Sequence, residues 1–342
     1  KREILWIPLM GWATKLMRPI AIDRSAHTQA VNQVVTQGRE RLESGLWILV
    51  FPEGTRVGVG ETRRYGISGA LLATQNGRLI VPVAHDAGRY WDANAEVWTL
   101  LCRQGYDTCR DYANTPWFMA NLPCVKGLRG LDIGCGEGSN TRQVAQRGAE
   151  VTALDFSPTF IAHAAQTERE TPLGIRYLLA SAVQLPFADH TFDFATSFMC
   201  LMDMPETDQV LAEAYRVLRP GGFLQFSITH PCFDLPTRKK IRDAQGRHYA
   251  YELGGYFERT EGEVFEWLFS AAPPEVKEGL RRFQQPIFRR TLSEWLNTII
   301  ATGFQLESVW EPVPGDEAVR QCPELDDMQV IAFFLHFRCS KP

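Results

Sequence analysis

The sequence predicts an α/β protein built on an open, mostly parallel sheet with helices on both faces. From about residue 130 onward, short apolar runs alternate with helix-forming segments, which is typical of strand–helix–strand units. A glycine-rich loop follows the first of these runs, and an acidic residue closes the second. The three observations together predict a sheet whose carboxyl edge binds a nucleoside.

The expected elements follow one another in a regular order. We expect strands at 130–135, 150–155, 175–180, 192–199 and 223–229, and helices at 138–147, 158–169 and 206–218. A later helix at 292–302 should end at Gly303, since glycine readily adopts the left-handed conformation that closes a helix. Two final strands near 304–311 and 328–338 complete the sheet, and the last one should run antiparallel.

The glycine loop consists of Gly134-Cys135-Gly136-Glu137-Gly138. Glycines at alternate positions let the backbone adopt positive φ values and approach a ligand closely. The helix that follows directs its free N–H groups and the positive end of its dipole toward this loop. Asp155 ends the next strand, at the separation that places a carboxylate on ribose hydroxyls. The glycine spacing differs from the Gly-x-Gly-x-x-Gly of nicotinamide and flavin sites.

This loop resembles motif I of the class I S-adenosylmethionine-dependent methyltransferases, and further similarities follow in order. Leu185-Pro186-Phe187 and Phe192-Asp193-Phe194 bracket the fourth strand, and Arg216 to Gly222 lead into the fifth. The resemblance covers residues from about 91 to 342. It implies a Rossmann-like, seven-stranded methyltransferase sheet and S-adenosyl-L-methionine as the cofactor. The alternative is a Rossmann-like domain that has lost its ligand.

The resemblance and the loop chemistry together indicate the cofactor site. The glycine loop should lie under the methionine moiety, Asp155 should bind the ribose, and adenine should lie near Phe156 and Ser181. Many relatives carry aspartate where Ser181 stands, and a neutral acceptor is weaker than a charged one, so we expect weaker cofactor binding. The expected cofactor-binding residues are Asp132, Gly134, Cys135, Gly136, Gly138, Asn140, Asp155, Phe156, Ser157, Ser181, Ala182 and Met199.

The expected reaction is methyl transfer to the oxygen or nitrogen of a small molecule. The sulfonium methyl group is already activated, so alignment supplies most of the catalysis, and only a hydroxyl or a protonated amine needs a general base. His230 follows the fifth strand and is the candidate base, because unperturbed histidine titrates near neutral pH. The alternative is a structural histidine at the end of the strand. The fourth strand ends in Ser197-Phe198-Met199-Cys200 and not in Asn-Pro-Pro-Tyr, which argues against amino-methylation of DNA.

Two aromatic-rich segments flank the core elements. Residues from about 91 to 117 form a helical lead-in, which in this family lies over the cofactor, although its aromatic residues could instead pack on the sheet edge. Residues from about 231 to 290 form an insertion after the fifth strand, beside the ligand-binding edge of the sheet. We expect this insertion to cover the acceptor; the alternative is an ordinary helical cap with its own small core.

Composition narrows the class of protein. The chain has 342 residues, 45% of them hydrophobic and 22% charged, as in globular proteins, and its net charge of -4 gives no reason to expect a nucleic-acid partner. Its eight cysteines form no Cys-x-x-Cys pair, so we expect no metal site and reduced, cytoplasmic thiols. Residues 1–91 hold 12 basic and 7 acidic residues, a balance of +5, whereas the remainder holds 24 and 33, a balance of −9. This contrast predicts two segments of different ancestry.

The first segment resembles a different family. Phe51-Pro52-Glu53-Gly54-Thr55-Arg56 follows an apolar run and resembles the phosphate-binding motif of the 1-acylglycerol-3-phosphate acyltransferases. The resemblance assigns a vestigial phosphate site to Glu53, Gly54, Thr55 and Arg56, since arginine offers the bidentate donors that phosphate prefers. The family's His-x4-Asp dyad is missing, because none of the seven histidines has an aspartate five residues later. We therefore expect no acyl transfer from this segment.

The predicted organisation is a truncated acyltransferase-like fragment at 1–91 and a methyltransferase domain at 92–342. The positive balance of the fragment suits weak contact with the anionic inner face of a membrane. Two other function classes remain open. One is a lipid enzyme derived from a lysophosphatidic acid acyltransferase and inactive without its dyad. The other is a non-catalytic, nucleoside-binding fusion.

Overall fold

The computed structural model describes residues 27–44, 72–74, 76, 86–260 and 262–342, and it divides the chain into the compact units Lys1–Pro82 and Val83–Pro342. In the first unit, helix α1 spans His27–Glu43. Gly38 allows Leu72 to approach this helix, since a Cβ at Gly38 would lie 2.7 Å from a Leu72 methyl carbon. The predicted phosphate site at 53–56 lies outside the described residues.

The second unit begins with the aromatic lead-in. Helix α2 spans Asp86–Arg103, a π-helical turn spans Arg110–Asn114, and helix α3 spans Thr115–Ala120. The predicted domain boundary at residue 91 falls within α2, and that boundary stays a prediction.

A seven-stranded mixed sheet forms the centre of this unit, as predicted. The five strands predicted at the start of the domain are observed as β1 (Arg129–Ile133), β2 (Glu150–Asp155), β3 (Arg176–Leu179), β4 (Phe192–Phe198) and β5 (Leu218–Thr229). These five pair in parallel in the order β5-β4-β1-β2-β3. The carboxyl ends of these five strands therefore lie at the same edge of the sheet. β1 is the middle strand of the five, with β4 on one side and β2 on the other.

Two later strands extend the sheet beyond β5. β10 spans Gln305–Trp310 and forms the outer edge, and β11 spans Phe334–Ser340 and pairs antiparallel with both β10 and β5. The antiparallel insertion is thus confirmed, but the prediction that the strand starts near 328 is wrong. Residues Pro323–Gln329 form a 3-10 helix whose Leu325 and Met328 are buried against Phe334, so packing overrides the local strand preference.

Helices cover both faces of the sheet. The helices of the core are α4 (Ser139–Gln146), α5 (Pro158–Glu170), α6 (Thr207–Val217) and α8 (Leu292–Thr302). Trp295 of α8 packs with Phe226 and Phe337 in one core, whereas Phe118 and Val144 pack with Phe194 in another. Gly303 ends α8 at φ 100°, which confirms the predicted cap. The amphipathic helices bury their apolar faces against a sheet that is apolar on both sides.

The insertion after β5 contains two hairpins and is not mainly helical, but it does form a small core of its own with α2. Its strands are β6 (Thr237–Arg242), β7 (His248–Gly254), β8 (Glu263–Trp267) and β9 (Phe283–Ile287), with one short helix, α7, at Pro274–Lys277. β6 pairs with β7 and β8 with β9, both antiparallel. The remaining short helix, α9 (Asp316–Gln321), precedes the final strand.

Candidate functional site

The glycine loop joins β1 to α4 at the carboxyl edge of the sheet. Gly134, Gly136 and Gly138 have φ values of 71°, 55° and 90°, so all three occupy the left-handed region that favours glycine. The backbone N–H groups of Gly134 and Cys135 both donate to the carbonyl of Leu154 on β2, each at 2.9 Å. The loop is therefore held against the strand that carries Asp155.

The three glycines differ in what surrounds them. A Cβ at Gly134 would lie 2.0 Å from the Cys200 thiol sulfur, and one at Gly138 would lie 2.5 Å from the Tyr177 hydroxyl. A Cβ at Gly136 would meet nothing within 4 Å. The middle of the loop thus faces open space, while its two ends are packed tightly against side chains from β3 and from the turn after β4.

Asp132 lies beneath the loop and is buried within the sheet. Its carboxylate accepts hydrogen bonds from the hydroxyls of Thr141 on α4, at 2.5 Å, and Thr196 on β4, at 2.8 Å. Burial raises the pKa of Asp132 to about 6, against the effect of these two donors. The carboxylate therefore links α4 and β4 to β1 directly below the loop, and contact with a ligand stays a prediction.

Asp155 ends β2, and its carboxylate faces the glycine loop. One oxygen accepts from the backbone N–H of Gly136 at 2.9 Å, and the other accepts from the N–H of Ser157 at 2.8 Å. Burial raises the pKa of Asp155, while these N–H groups oppose the rise. A carboxylate beside an open glycine loop offers two acceptor oxygens to the hydroxyls of a ribose.

The lead-in helix is attached at the same corner. The Asp92 carboxylate on α2 accepts from the Ser157 hydroxyl at 2.6 Å and from the Thr159 N–H at 3.1 Å. Burial opposes the ionisation of Asp92, but these hydrogen bonds lower its pKa. Ser157 also caps α5 by accepting from the N–H of Phe160. The predicted site residue Ser157 thus connects α2 to the carboxyl edge of the sheet.

The remaining predicted cofactor residues follow the carboxyl ends of β2, β3 and β4. Phe156 follows Asp155, and the buried Ser181 and Ala182 follow β3, where the Ser181 hydroxyl accepts from the N–H of Val183 at 3.3 Å. Met199, directly after β4, has a φ of 49° and is one of two non-glycine residues with positive φ in the described part of the chain. Backbone strain of this kind is concentrated at functional sites, and it adds weight to the predicted role of Met199.

The π-helical turn and α3 hold the outer side of the glycine loop. Arg110 donates to the Glu137 carboxylate at 3.3 Å, and the hydroxyl of Thr115 donates to the side-chain oxygen of Asn140 at 2.9 Å. Glu137 lies within the loop and Asn140 in the first turn of α4. Both contacts join positions distant in sequence, so the sequence carried no signal for Arg110.

Aromatic side chains attach the lead-in to the second hairpin of the insertion. Trp98 of α2 lies with its ring centroid 4.9 Å from those of Phe269 and Phe283, and 5.8 Å from that of Trp267. Asn94 exchanges two hydrogen bonds with the backbone of Gln284 on β9, each at 2.9 Å. The lead-in and this hairpin therefore pack as one cover, which we call the aromatic lid (α2 with β8 and β9).

His230 lies at the end of β5, where the sequence placed it, and it is 3% exposed. Its Nδ1 accepts from the N–H of Cys232 at 3.1 Å, so Nε2 carries the proton and donates to Glu311 at 2.9 Å. Burial lowers the pKa of His230, and Glu311 opposes this effect. Both ring nitrogens are occupied, which favours the structural interpretation; a catalytic role stays a prediction.

A further carboxylate, which was not predicted from the sequence, lies in the turn after β4 that packs against Gly134. Asp203 lies in a 3-10 turn (Leu201–Asp203) directly after β4 and accepts a hydrogen bond from Gln285 of β9 at 2.9 Å. The available signal was its position, since a carboxylate soon after the carboxyl end of a central parallel strand lies beside the ligand-binding edge.

Among the residues that the structure describes, no three His, Cys, Asp or Glu side chains are grouped to hold a metal ion. None of the helices in the described ranges is long and apolar enough to cross a bilayer.

The core of the second unit is similar to known proteins. Residues 131–226 match the methyltransferase domain family. The chain is 33% identical over 148 residues to demethylmenaquinone methyltransferase from Listeria welshimeri, an alignment that covers 42% of this chain and 61% of that protein. A crystal structure of an S-adenosylmethionine-dependent methyltransferase from Mesorhizobium loti is 28% identical, with a TM-score of 0.52, and the match covers 66% of this chain and 96% of that one.

The first unit matches a different family. Residues 1–86 match the acyltransferase family. Over 91 residues the chain is 48% identical to 1-acyl-sn-glycerol-3-phosphate acyltransferase from Pseudomonas aeruginosa. This alignment covers 27% of this chain and 35% of that protein. The chain therefore spans about a third of this acyltransferase and under two thirds of the Listeria relative.

Proposed function

We propose that this chain, whose residues 131–226 are a methyltransferase domain of the S-adenosylmethionine-dependent kind, transfers a methyl group to the oxygen or nitrogen of a small molecule. The observation that carries the proposal is the pairing of the Asp155 carboxylate with the open glycine loop, at 2.9 Å from the N–H of Gly136. The two features that a nucleoside needs, a backbone without side chains and a ribose acceptor, lie side by side.

The residues present suit the cofactor. The space above Gly136 leaves room for a ligand against the backbone, and the N-terminus of α4 adjoins it. We assign the methionine moiety to Gly134, Gly136 and Gly138, and the ribose to Asp155. S-Adenosylmethionine supplies an activated methyl group, so the protein has to bind, align and exclude water.

The aromatic lid supports a small, apolar or aromatic acceptor. Trp98, Trp267 and Phe283 cluster where α2 meets β9, and α2 is attached to the ribose corner through Asp92. These rings pack on one another in a small core, and an acceptor bound between the lid and the carboxyl edge of the sheet would lie beside that core. The Listeria relative is by its name a demethylmenaquinone methyltransferase, and that acceptor class agrees with this lining.

Residues 1–91 and the location of the protein stay outside this core proposal. All eight cysteines are free, which supports a reducing compartment and therefore a cytoplasmic protein. Weak contact of the basic first segment with a membrane surface is a separate prediction, and binding of the full chain to anionic vesicles at low salt tests it.

Mass spectrometry of the full chain under native conditions tests the main proposal. Purified protein should retain S-adenosylmethionine or its demethylated product, and titration calorimetry should show saturable binding of added cofactor. NAD serves as the negative control ligand, because the glycine spacing differs from that of nicotinamide sites. A chain that binds neither S-adenosylmethionine nor its product contradicts the proposal.

A further inference from the structure

Asp203 is a buried carboxylate at the carboxyl edge of the sheet. Asp203 is 5% exposed and lies in the 3-10 turn that follows β4. The same turn begins after Cys200, whose sulfur would lie 2.0 Å from a Cβ at Gly134. The turn that carries Asp203 therefore packs against the loop assigned to the methionine moiety.

Two elements of the aromatic lid meet at this carboxylate. Gln285 of β9 donates to one of its oxygens at 2.9 Å, and Trp91 on α2 lies close enough to lower its pKa. Asp203 thus joins the turn after β4 to both components of the aromatic lid. It lies where the lid meets the edge of the sheet, which is the position assigned to the acceptor.

Among the residues that the structure describes, no Lys, Arg or His side chain forms an ion pair or a hydrogen bond with Asp203. Asp234, from the segment after β5, is the charged group that acts on it, while Gln285 and Trp91 are neutral. Arg290 lies nearby but donates to the backbone carbonyls of Met204 and Pro205.

This environment gives Asp203 an unusual acidity for a carboxylate. Burial first, and then the charge of Asp234, raise its pKa to about 7, against the lowering effects of Gln285 and Trp91. Burial and the charges of Asp155, Asp203 and Asp132 raise the pKa of the Cys200 thiol far above its ordinary value, so all three carboxylates act on one atom at this edge. A carboxylate poised near neutral pH suits proton transfer at physiological pH.

We propose that Asp203 is the general base that takes the proton from the acceptor during methyl transfer. The inference rests on the proposed function and specifies the acceptor as a molecule whose nucleophilic atom carries a proton, a hydroxyl or an ammonium group. His230, the base expected from the sequence, has both ring nitrogens occupied, whereas the Asp203 carboxylate receives neutral donors and keeps lone pairs to accept another hydrogen.

During methyl transfer, the proton that the acceptor loses is taken up by Asp203. The acceptor oxygen or nitrogen forms a bond to the methyl carbon, and the bond between that carbon and sulfur breaks with its electron pair left on sulfur. The acceptor's proton moves to the ionised carboxylate of Asp203, which later releases it to water. A carboxylate acceptor is already ionised at neutral pH, so it would not need this base.

Asp203→Asn in the full chain tests the inference. Asparagine has the same shape and still accepts from Gln285, so the lid contact is retained while the base is lost. The matched control is Asp234→Asn, which removes a neighbouring carboxylate. The acceptor probes are 1,4-dihydroxynaphthalene, ethanolamine and malonate, of which only malonate needs no base.

We expect Asp203→Asn to lower the rate with a proton-bearing probe by about 10²- to 10⁴-fold, the usual contribution of general base catalysis. Cofactor affinity by calorimetry should be unchanged. The wild-type rate should rise with pH through about 7, since the carboxylate must be ionised, and this rise should disappear in Asp203→Asn. Asp234→Asn should retain the rise, shifted to lower pH.

A second variant and a spectroscopic measurement that does not depend on activity distinguish loss of the base from misfolding. Gln285→Met removes a donor to the ionised form, so the rise in rate should move to higher pH. Infrared difference spectra of full chain minus Asp203→Asn should show a carboxyl group that titrates near neutral pH. The role of Asp203 is overturned if Asp203→Asn has the wild-type rate, or if the wild-type protein methylates only malonate or none of the three probes. The proposed function itself is overturned if the wild-type protein binds no cofactor.

Discussion

Replacing Gly134 by alanine tests how the glycine loop is packed. Gly134 has a φ of 71°, and its missing side chain lets the Cys200 sulfur approach to 2.0 Å from the Cβ position. Gly136, two residues later, has a φ of 55° and no atom within 4 Å of its Cβ position. Gly136→Ala is therefore a matched control that has the backbone strain without the steric overlap.

The expected losses of folding free energy follow from these two effects. A Cβ in the left-handed region costs about 1–2 kcal/mol, which applies to both variants. Overlap in a packed interior adds about 1–3 kcal/mol, which applies to Gly134→Ala alone. We therefore expect Gly134→Ala to lose about 2–5 kcal/mol in all, against about 1–2 kcal/mol for Gly136→Ala.

Urea unfolding of the full chain, followed by tryptophan fluorescence, measures these losses. Cys200→Ala removes the overlapping sulfur, so in its background the cost of Gly134→Ala should fall toward that of Gly136→Ala. Calorimetry should show that Gly136→Ala weakens cofactor binding more than Gly134→Ala does. The reason is that a Cβ at Gly136 enters the open space assigned to the cofactor. Equal destabilisation by the two alanines, or no relief from Cys200→Ala, refutes the reasoning.

Four further predictions concern the site and the fold. Asp155→Ala should weaken S-adenosylmethionine binding by about 1.5–3 kcal/mol, the worth of hydrogen bonds to a charged group, and unchanged calorimetric affinity would contradict the ribose assignment. Ser181→Asp should tighten binding if a charged acceptor for adenine is what the site lacks, and equal affinities would remove that explanation. His230→Ala should lower the unfolding free energy by about 1–3 kcal/mol through the lost contacts at Cys232 and Glu311, whereas loss of turnover with intact stability and cofactor binding would favour catalysis. Residues 83–342 expressed alone should remain soluble with a cooperative melt, because this unit contains its own buried cores, and an insoluble fragment beside a soluble full chain would show that the first unit is required.

Local sequence carried most of the information about the sheet. β2 was predicted at the residues where it is observed, and so was α8 with its cap at Gly303, because apolar runs, capping residues and glycines act over a few positions. The start of β11 was placed too early, since burial of Leu325 and Met328 against Phe334 decides that segment. Periodicity alone does not report such contacts.

Some residues of the candidate site were likewise predicted from the sequence, and others were not. The glycine loop and Asp155 could be found from sequence because a backbone without side chains and a carboxylate at a strand end are chemical requirements written into a short stretch of chain. The roles of Asp203 and Arg110 could not, since each depends on partners such as Gln285 and Glu137 that are distant along the chain.

The sequence by itself determined the order of the core strands and helices and the glycine loop, which depend on patterns within a strand–helix–strand unit, and the resemblance of its motifs to a methyltransferase family indicated the cofactor. Only the tertiary structure decided that the insertion forms hairpins, that Trp98 of α2 packs on one of them, and that Asp203 is buried where the two meet. The physical reason is that burial and hydrogen bonding depend on which distant surfaces come together, and burial is what raises the pKa of a carboxylate toward neutral pH.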